Sequence, residues 1–355
     1  MNEAMKRTSS QFNFRRRLLT TVSAFALASA GAEARADGAF LASDTPSVWI
    51  ELGGQFDMLT RAQTKWMPPL DSPAAGSGTF IQKSPLYGYD ADASLSYISG
   101  GGDWRLNLTV RYGRSLYHNR FHTQIFAIPP IYPSHPAQYA QEAYGANSSV
   151  RANHMIADFQ AGKDVGLGLS ESRMSVGVRF AQFNARTLDM ATDFPARGYY
   201  PPLYHRRFSD TADIHRNLWA LGPSLSWDAS ASLARSGSRM FSFDWGANGA
   251  VLFGRQKANT HIVSVYQKVV QNEDGIPPIT RTTDTPHIRD KQVIVPNLGG
   301  FAGFSVRWPA AKISIGYRGD FFFGAMDGGM DTRKSEDVGF YGPFASISIS
   351  IGLGG

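Results

Sequence analysis

Apolar and polar residues alternate one by one along ten segments of the chain, a pattern typical of β-strands with two different faces. The last segment is the clearest, because Ala345, Ile347, Ile349 and Ile351 share one face while serines occupy the other. A face of serine and glycine fits a narrow interior, and so uniform an apolar face suits contact with lipid. The pattern therefore predicts a barrel that spans a membrane.

Each alternating segment is about as long as a tilted strand needs to cross a bilayer. The strands are predicted at 48–58, 89–98, 104–113, 154–163, 173–183, 217–227, 241–253, 295–308, 312–323 and 344–353. Five aromatic residues fall at strand ends beside short connections. They predict an aromatic girdle at the inner interface of the membrane that the barrel spans, on the side of the short turns. These five are Tyr97, Trp104, Trp227, Phe241 and Trp308.

The connections between these segments alternate in length without a break. Short connections are predicted at 99–103, 164–171, 228–240 and 309–311, and long ones at 59–88, 114–153, 184–216, 254–294 and 324–343. This rhythm predicts an all-β fold: a transmembrane, antiparallel, up-and-down β-barrel of about ten strands, with short periplasmic turns and long external loops. Segments 263–270 and 279–283 flank a hairpin signal, Asn272 to Gly275. They predict an extension above the membrane, with a twelve-stranded barrel as the alternative.

The first 36 residues have the features of an export signal, with a basic start, a short apolar stretch and Ala34-Arg35-Ala36 before the predicted cleavage site. The barrel is then expected to occupy 37–355, in a bacterial outer membrane. Removing the signal takes away six Lys/Arg and two Asp/Glu, so the net charge falls from +6 to 29 − 27 = +2. The mature chain has no basic run, so no nucleic-acid partner is expected.

Charged residues recur on the polar faces of the strands, where a barrel turns inward. The predicted lumen-lining residues are Glu51, Asp57, Asp90, Asp92, Arg105, Arg111, Asp158, Arg173, Arg179, Asp244, Arg307, Arg318 and Asp320. Folding neighbouring strands about their turns predicts that Asp92 lies opposite Arg111 and Asp158 opposite Arg179. Two interpretations stay open: the charges line a water-filled passage, or they form a paired polar core that fills the interior.

Several stretches are similar to a family of pore-forming outer-membrane proteins that includes the Legionella-type major outer membrane protein. They are Ile-Ala-Asp-Phe-Gln-Ala-Gly at 156–162, Val-Gly-Val-Arg-Phe-Ala at 176–181, Leu-Gly-Pro-Ser-Leu-Ser at 221–226, 246–254 and Phe-Tyr-Gly-Pro-Phe at 340–344. The resemblance covers 153 onward and implies a barrel with porin-like activity, with adhesion in some members. The chain departs from outer-membrane barrels in ending Leu353-Gly354-Gly355, where they usually carry an aromatic residue that the assembly machinery reads.

The function expected is porin-like passive transport of small hydrophilic solutes or ions, with no enzymatic activity, cofactor or metal site. The expected partners are outer-membrane lipid and lipopolysaccharide, the barrel-assembly machinery and the solutes; the oligomeric state is left open. Adhesion by the external loops is the alternative. A less favoured one is omptin-like proteolysis, for which Asp90 and Asp92 would face Asp213 and His215 across the mouth.

Overall fold

The computed structural model describes residues 46–60, 86–100, 104–116, 118–128, 140–166, 171–197, 204–270, 279–328 and 335–352. The predicted signal peptide and its cleavage site lie outside these residues. Among the described residues, no helix is long and apolar enough to cross a membrane.

Eleven strands make up the described part of the chain, and all neighbouring strands are antiparallel. They are β1 (Ser47–Thr60), β2 (Leu86–Ile98), β3 (Trp104–Ser115), β4 (His118–Ile128), β5 (Ala140–Asp164), β6 (Glu171–Arg197), β7 (Tyr204–Ser236), β8 (Arg239–Val270), β9 (Ile279–Arg307), β10 (Ala311–Asp327) and β11 (Ser335–Gly352).

The strands close into a ring of ten, as the sequence predicts. The first and last strands pair, with Ser47 opposite Gly352, and every other neighbour in the ring follows chain order. Strand β5 is long enough for two partners: its lower part (153–163) pairs with β3 and its upper part (140–150) pairs with β4. Strand β4 therefore pairs with β5 beyond the end of β3, on the same side of β5, and does not add an eleventh strand to the ring. The fold is a closed, antiparallel, up-and-down β-barrel.

The two ends of the barrel differ as expected, with short turns at one end and long connections at the other. However, most strands are longer than predicted. The predicted connection 228–240 is mostly strand, and the chain turns at Gly237, whose positive φ of 58° suits glycine. The predicted connection 184–216 consists mainly of the upper parts of β6 and β7.

The hairpin signal itself, Asn272 to Gly275, lies outside the described residues, but the segments on either side of it add no strands to the ring, so the twelve-stranded alternative is wrong. These segments are the upper parts of β8 and β9, which stay in one register from Met240 opposite Arg307 to Lys268 opposite Ile279. Strand β4, which lies inside the predicted connection 114–153, was missed.

The outer face of the ring carries a belt of exposed apolar side chains. Its members include Ile50, Leu52, Leu95, Leu108, Val110, Val176, Val178, Leu221, Leu225, Val251, Leu298, Ile313, Ile315, Ile347 and Ile349. Exposed aromatic residues border the belt near the short turns (Tyr97, Trp104, Phe241) and near the long connections (Tyr89, Tyr112, Trp219, Phe253, Tyr317). Trp227 and Trp308, predicted in the first girdle, are half-buried. Two aromatic girdles around an apolar band characterise barrels that span a bilayer.

Beyond the second girdle the polarity of the two faces is inverted. On β7, the outward residues change from Leu221 and Trp219 to Asn217 and His215, while the buried inward residues include Leu218 and Ile214. The long strands thus continue past the belt as an extension with a solvent-exposed exterior and an interior in which apolar side chains alternate with buried polar ones, Arg216 and Asp189 among them. We call this part, formed mainly by β4–β9, the extension.

Candidate functional site in the barrel interior

Inward side chains form three successive levels between the short turns and the extension. The first, here the vestibule, contains the predicted residues Glu51, Arg105, Arg173, Asp244 and Arg307. The second, the charged layer, contains Asp57, Asp90, Asp92, Arg111, Asp158, Arg179, Arg318 and Asp320. The third, the apolar layer, contains Leu59, Leu86, Phe183, Leu218, Leu252, Val295, Phe322 and Phe340. All thirteen residues predicted to line the lumen therefore point inward.

Arg179 is the most connected group of the charged layer. It lies opposite Asp158, as the sequence predicts, and its guanidinium donates to both carboxylate oxygens at 2.7 and 2.9 Å. Its remaining nitrogen donates to Asn248 Oδ1 at 2.7 Å and to Asn297 on the next strand. Because the side chain is only 5% exposed, this bidentate pair is an interior contact rather than a surface one.

Two further arginines bridge strands that are not neighbours in the ring. Arg111 on β3 donates to Asp320 on β10 at 2.7 Å. Arg318 on β10 donates to Gln55 Oε1 on β1 at 2.8 Å and to Asp92 on β2 at 3.1 Å. The register does place Asp92 opposite Arg111, yet the predicted ion pair between them is replaced by these contacts across the interior.

The vestibule is also polar but less deeply buried. Arg307 donates to Glu171 at 3.2 Å, and Arg173 contacts the same carboxylate. Lys312 pairs with Asp244 at 2.7 Å. Glu51 accepts a hydrogen bond from Ser348 at 2.8 Å, and Arg105 donates to Ser96 at 2.8 Å. These side chains form a polar, partly solvated mouth at the short-turn end.

The apolar layer closes the interior above the charges. Phe183 packs against Phe322 and Phe340, with ring centroids 4.7 and 5.4 Å apart. Each of the eight side chains is at most 2% exposed. A layer packed this tightly, directly above a paired charged layer, leaves no continuous water-filled path through the described part of the interior.

The residues proposed for omptin-like catalysis do not meet. Asp90 and Asp92 point into the charged layer, whereas Asp213 and His215 point outward from the extension. The guanidinium of Arg186 binds Asp213 at 2.7 Å and holds the pKa of that carboxyl below its usual range. The protease constellation is therefore not assembled.

Sequence reasoning missed four interior residues that take part in the charged layer: Gln55, His154, Asn248 and Asn297. Three of these are uncharged amides, and a pattern of charged residues does not mark them. His154 begins a predicted strand in phase with Asp158, so the alternation already placed it on the inward face.

No protein-family model matches the chain, and no curated protein matches it. Among solved structures, it is similar to the transport unit of the autotransporter AIDA-I from Escherichia coli, with 6% identity, 86% of this chain and 90% of that chain covered, and a TM-score of 0.23. The CymD monoaromatic hydrocarbon channel gives 10% identity, 91% and 94% coverage and a TM-score of 0.19. A BenF-like porin from Pseudomonas fluorescens Pf-5 gives 8% identity, 88% and 100% coverage and a TM-score of 0.13. Similarities this low carry no argument about function.

Proposed function

We propose that the chain is a bacterial outer-membrane barrel whose interior is closed to freely diffusing solutes and whose function is binding at the cell surface through the extension. The packed apolar layer above the paired charged layer is the observation that carries this proposal. A ten-stranded ring is narrow enough for side chains to fill, and these side chains fill it. The role is one of binding rather than catalysis.

The extension supplies surface that a pore would not need. Strands β7, β8 and β9 stay paired far beyond the second girdle, and both faces of β9 are exposed over 280–288. A groove of about 320 Å³ lies on the outer wall where the apolar belt ends, lined in part by Trp219, Lys257 and Arg255, whose guanidinium is paired with Asp290 of the same groove. An aromatic ring beside cationic side chains suits the phosphates of lipopolysaccharide, which we propose as a partner together with outer-membrane lipid.

Porin-like passive transport of small hydrophilic solutes is the second candidate. The polar vestibule favours it, because the short-turn half of the interior already provides the lining that a passage requires. Transport would need the charged and apolar layers to move apart. Membership of the Legionella-type family, suggested by the sequence resemblance, stays a prediction, as does recognition by the barrel-assembly machinery.

Single-channel recording in a planar bilayer separates the two candidates. The folded full chain is expected to produce no stepwise current, whereas stepwise currents from the unmodified protein would favour transport and contradict the closed barrel. As a matched control, Phe183→Gly/Phe322→Gly removes two rings of the apolar layer and leaves the extension's surface unchanged.

Surface binding is tested by replacing 261–288 with a short turn and measuring cell adhesion. Unchanged adhesion would contradict a binding role for that hairpin.

A further inference from the structure

Three buried polar side chains meet at one side of the charged layer, on the wall formed by β1, β2, β3 and β5. They are Asp57 on β1, Asp90 on β2 and His154 on β5, and they are 0, 4 and 1% exposed. One ligand atom from each lies within 4.8 Å of the others. The Nε2 atom of His154 is 4.0 Å from Asp57 and 3.9 Å from Asp90.

These side chains differ from the rest of the charged layer in having no hydrogen-bond partner among the described residues. This holds for both oxygens of Asp57, both oxygens of Asp90 and both ring nitrogens of His154. The separations of 3.9 and 4.0 Å are too long for hydrogen bonds. Buried carboxylates without a donor are costly, so this arrangement calls for a positively charged group that all three can contact.

The charge balance of the layer points the same way. Three carboxylates have a close guanidinium: Asp158 with Arg179 at 2.7 Å, Asp320 with Arg111 at 2.7 Å and Asp92 with Arg318 at 3.1 Å. Asp57 and Asp90 remain, with only the Nε of Arg111, 3.5 Å from Asp90, to share. Five carboxylates against three guanidiniums leave an excess of two negative charges, which one divalent cation would neutralise.

The local backbone is shaped to bring the imidazole to the carboxylates. A Cβ atom at position 113, on β3 between β2 and β5, would lie 2.2 Å from Cε1 of His154, so glycine is needed there for the ring to lean across. The ring of Phe340 supports the imidazole from the other side, with centroids 3.8 Å apart. Ligands that share one ion through bonds of about 2.1 Å lie about 3.4 Å apart in tetrahedral geometry, so the observed separations of 3.9 and 4.0 Å admit one ion once the side chains close in by about half an ångström.

We propose that Asp57, Asp90 and His154 bind a divalent transition-metal ion that ties β1, β2 and β5 together inside the barrel. Carboxylates suit Mn²⁺, imidazole suits Zn²⁺ and Fe²⁺, and the mixed set selects this class over Mg²⁺ or Ca²⁺. The apolar layer covers the site from the extension, so the ion is acquired on folding and exchanges slowly. No short sequence motif marks the site, because its ligands lie 33 and 64 residues apart.

Metal analysis of the full chain folded in detergent tests the proposal. The protein is folded with Zn²⁺ or Mn²⁺, washed with a chelator and analysed by mass spectrometry, and we expect it to retain about one ion per chain. Asp57→Asn and His154→Gln should each lower retention at least tenfold. Asp158→Asn is the matched control: it removes a carboxylate from the same layer but not from the site, and it should retain the ion. The heat-dependent gel mobility of folded barrels verifies folding of each variant.

Cobalt provides a readout that needs no variant. When Co²⁺ replaces the ion in the unmodified protein, the visible absorption of a cobalt centre with a nitrogen ligand is expected to appear and to survive the chelator wash. The proposal is overturned if the folded protein retains none of the three ions, which would mean that the carboxylates share protons instead. It is also overturned if His154→Gln, verified as folded, retains as much metal as the unmodified chain.

Discussion

The part of the barrel inside the apolar belt and the extension above it share strands but have opposite polarity. Within the belt, Leu221 and Leu225 of β7 face outward, and Ser224 and Ser226 face the interior. In the extension, the same strand turns polar residues outward and buries Leu218 and Ile214. Burial alternates without a break along β7 from 209 to 226, so the difference lies in whether its outward face meets hydrocarbon or water.

This comparison shows that two kinds of interior stabilise one continuous sheet. Inside the belt, the interior is held by charge-assisted hydrogen bonds between strands that are distant in the ring. In the extension, packed apolar side chains such as Ala212 and Ile214 share the interior with buried Arg216, which donates to the backbone carbonyl of Asp327 at 3.1 Å. The charged and apolar layers meet where the outer surface leaves the membrane, and together they close the interior.

Breaking the charged layer at Arg179 is expected to have the largest effect. Replacing Arg179 by Met leaves the carboxylate of Asp158, which is 15% exposed, without a cation. Removing one partner of a buried pair costs about 3–5 kcal/mol, so a loss of about 3 kcal/mol is expected for this partly exposed pair. Urea unfolding in lipid vesicles, followed by tryptophan fluorescence, measures the loss. The double variant Arg179→Met/Asp158→Leu is the control and should recover most of it. If the free energy of unfolding of the Arg179→Met variant lies within about 1 kcal/mol of that of the unmodified protein, the assigned role of this pair is contradicted.

The boundary between the two regions can be located with one substitution made at two positions. Leu221 and Asn217 lie on the outward face of β7, on either side of Trp219. An arginine in place of Leu221 enters the apolar belt and should destabilise the barrel by about 2–4 kcal/mol. An arginine in place of Asn217 stays in water and should change stability by less than about 0.5 kcal/mol. Equal effects in the same urea titration would place the boundary elsewhere.

A smaller effect should appear as a pH dependence of the stability of the extension. Burial raises the pKa of Asp189, an inward residue of the extension, from 3.8 to about 6. The folded state then binds a proton more readily than the unfolded state, so stability falls as pH rises through this window. Between pH 7.5 and pH 5 the expected gain is about 1 kcal/mol.

Hydrogen exchange of backbone amides in the upper parts of β6 and β7 measures this gain locally. Asp189→Asn should make exchange protection independent of pH in this range, after correction for the intrinsic exchange rate. Protection that increases with pH in the unmodified protein would contradict the direction of the shift.

Alternation and connection length predicted the barrel because both follow from local chemistry. A strand that faces lipid must be apolar at every second residue, so each of the ten strands could be predicted from its own residues alone. Strand ends were less predictable: beyond the second girdle the outward residues of β7 are Asn217, His215 and Asp213, so apolar residues no longer mark the outward face. Neighbouring-strand register was also local, which is why Asp158 and Arg179 were paired correctly.

By itself, the sequence determined the class of fold, the strands of the ring, the two unlike ends and which face of each strand turns inward, since each depends on residues close together in the chain. Only the tertiary structure decided which interior charges meet. Arg111 reaches Asp320, which lies 209 residues away, because the ring closes and brings β3 and β10 within reach of one another. The closed interior and the unpartnered group of Asp57, Asp90 and His154 depend on the same closure, because the diameter of the ring sets the distance between opposite walls.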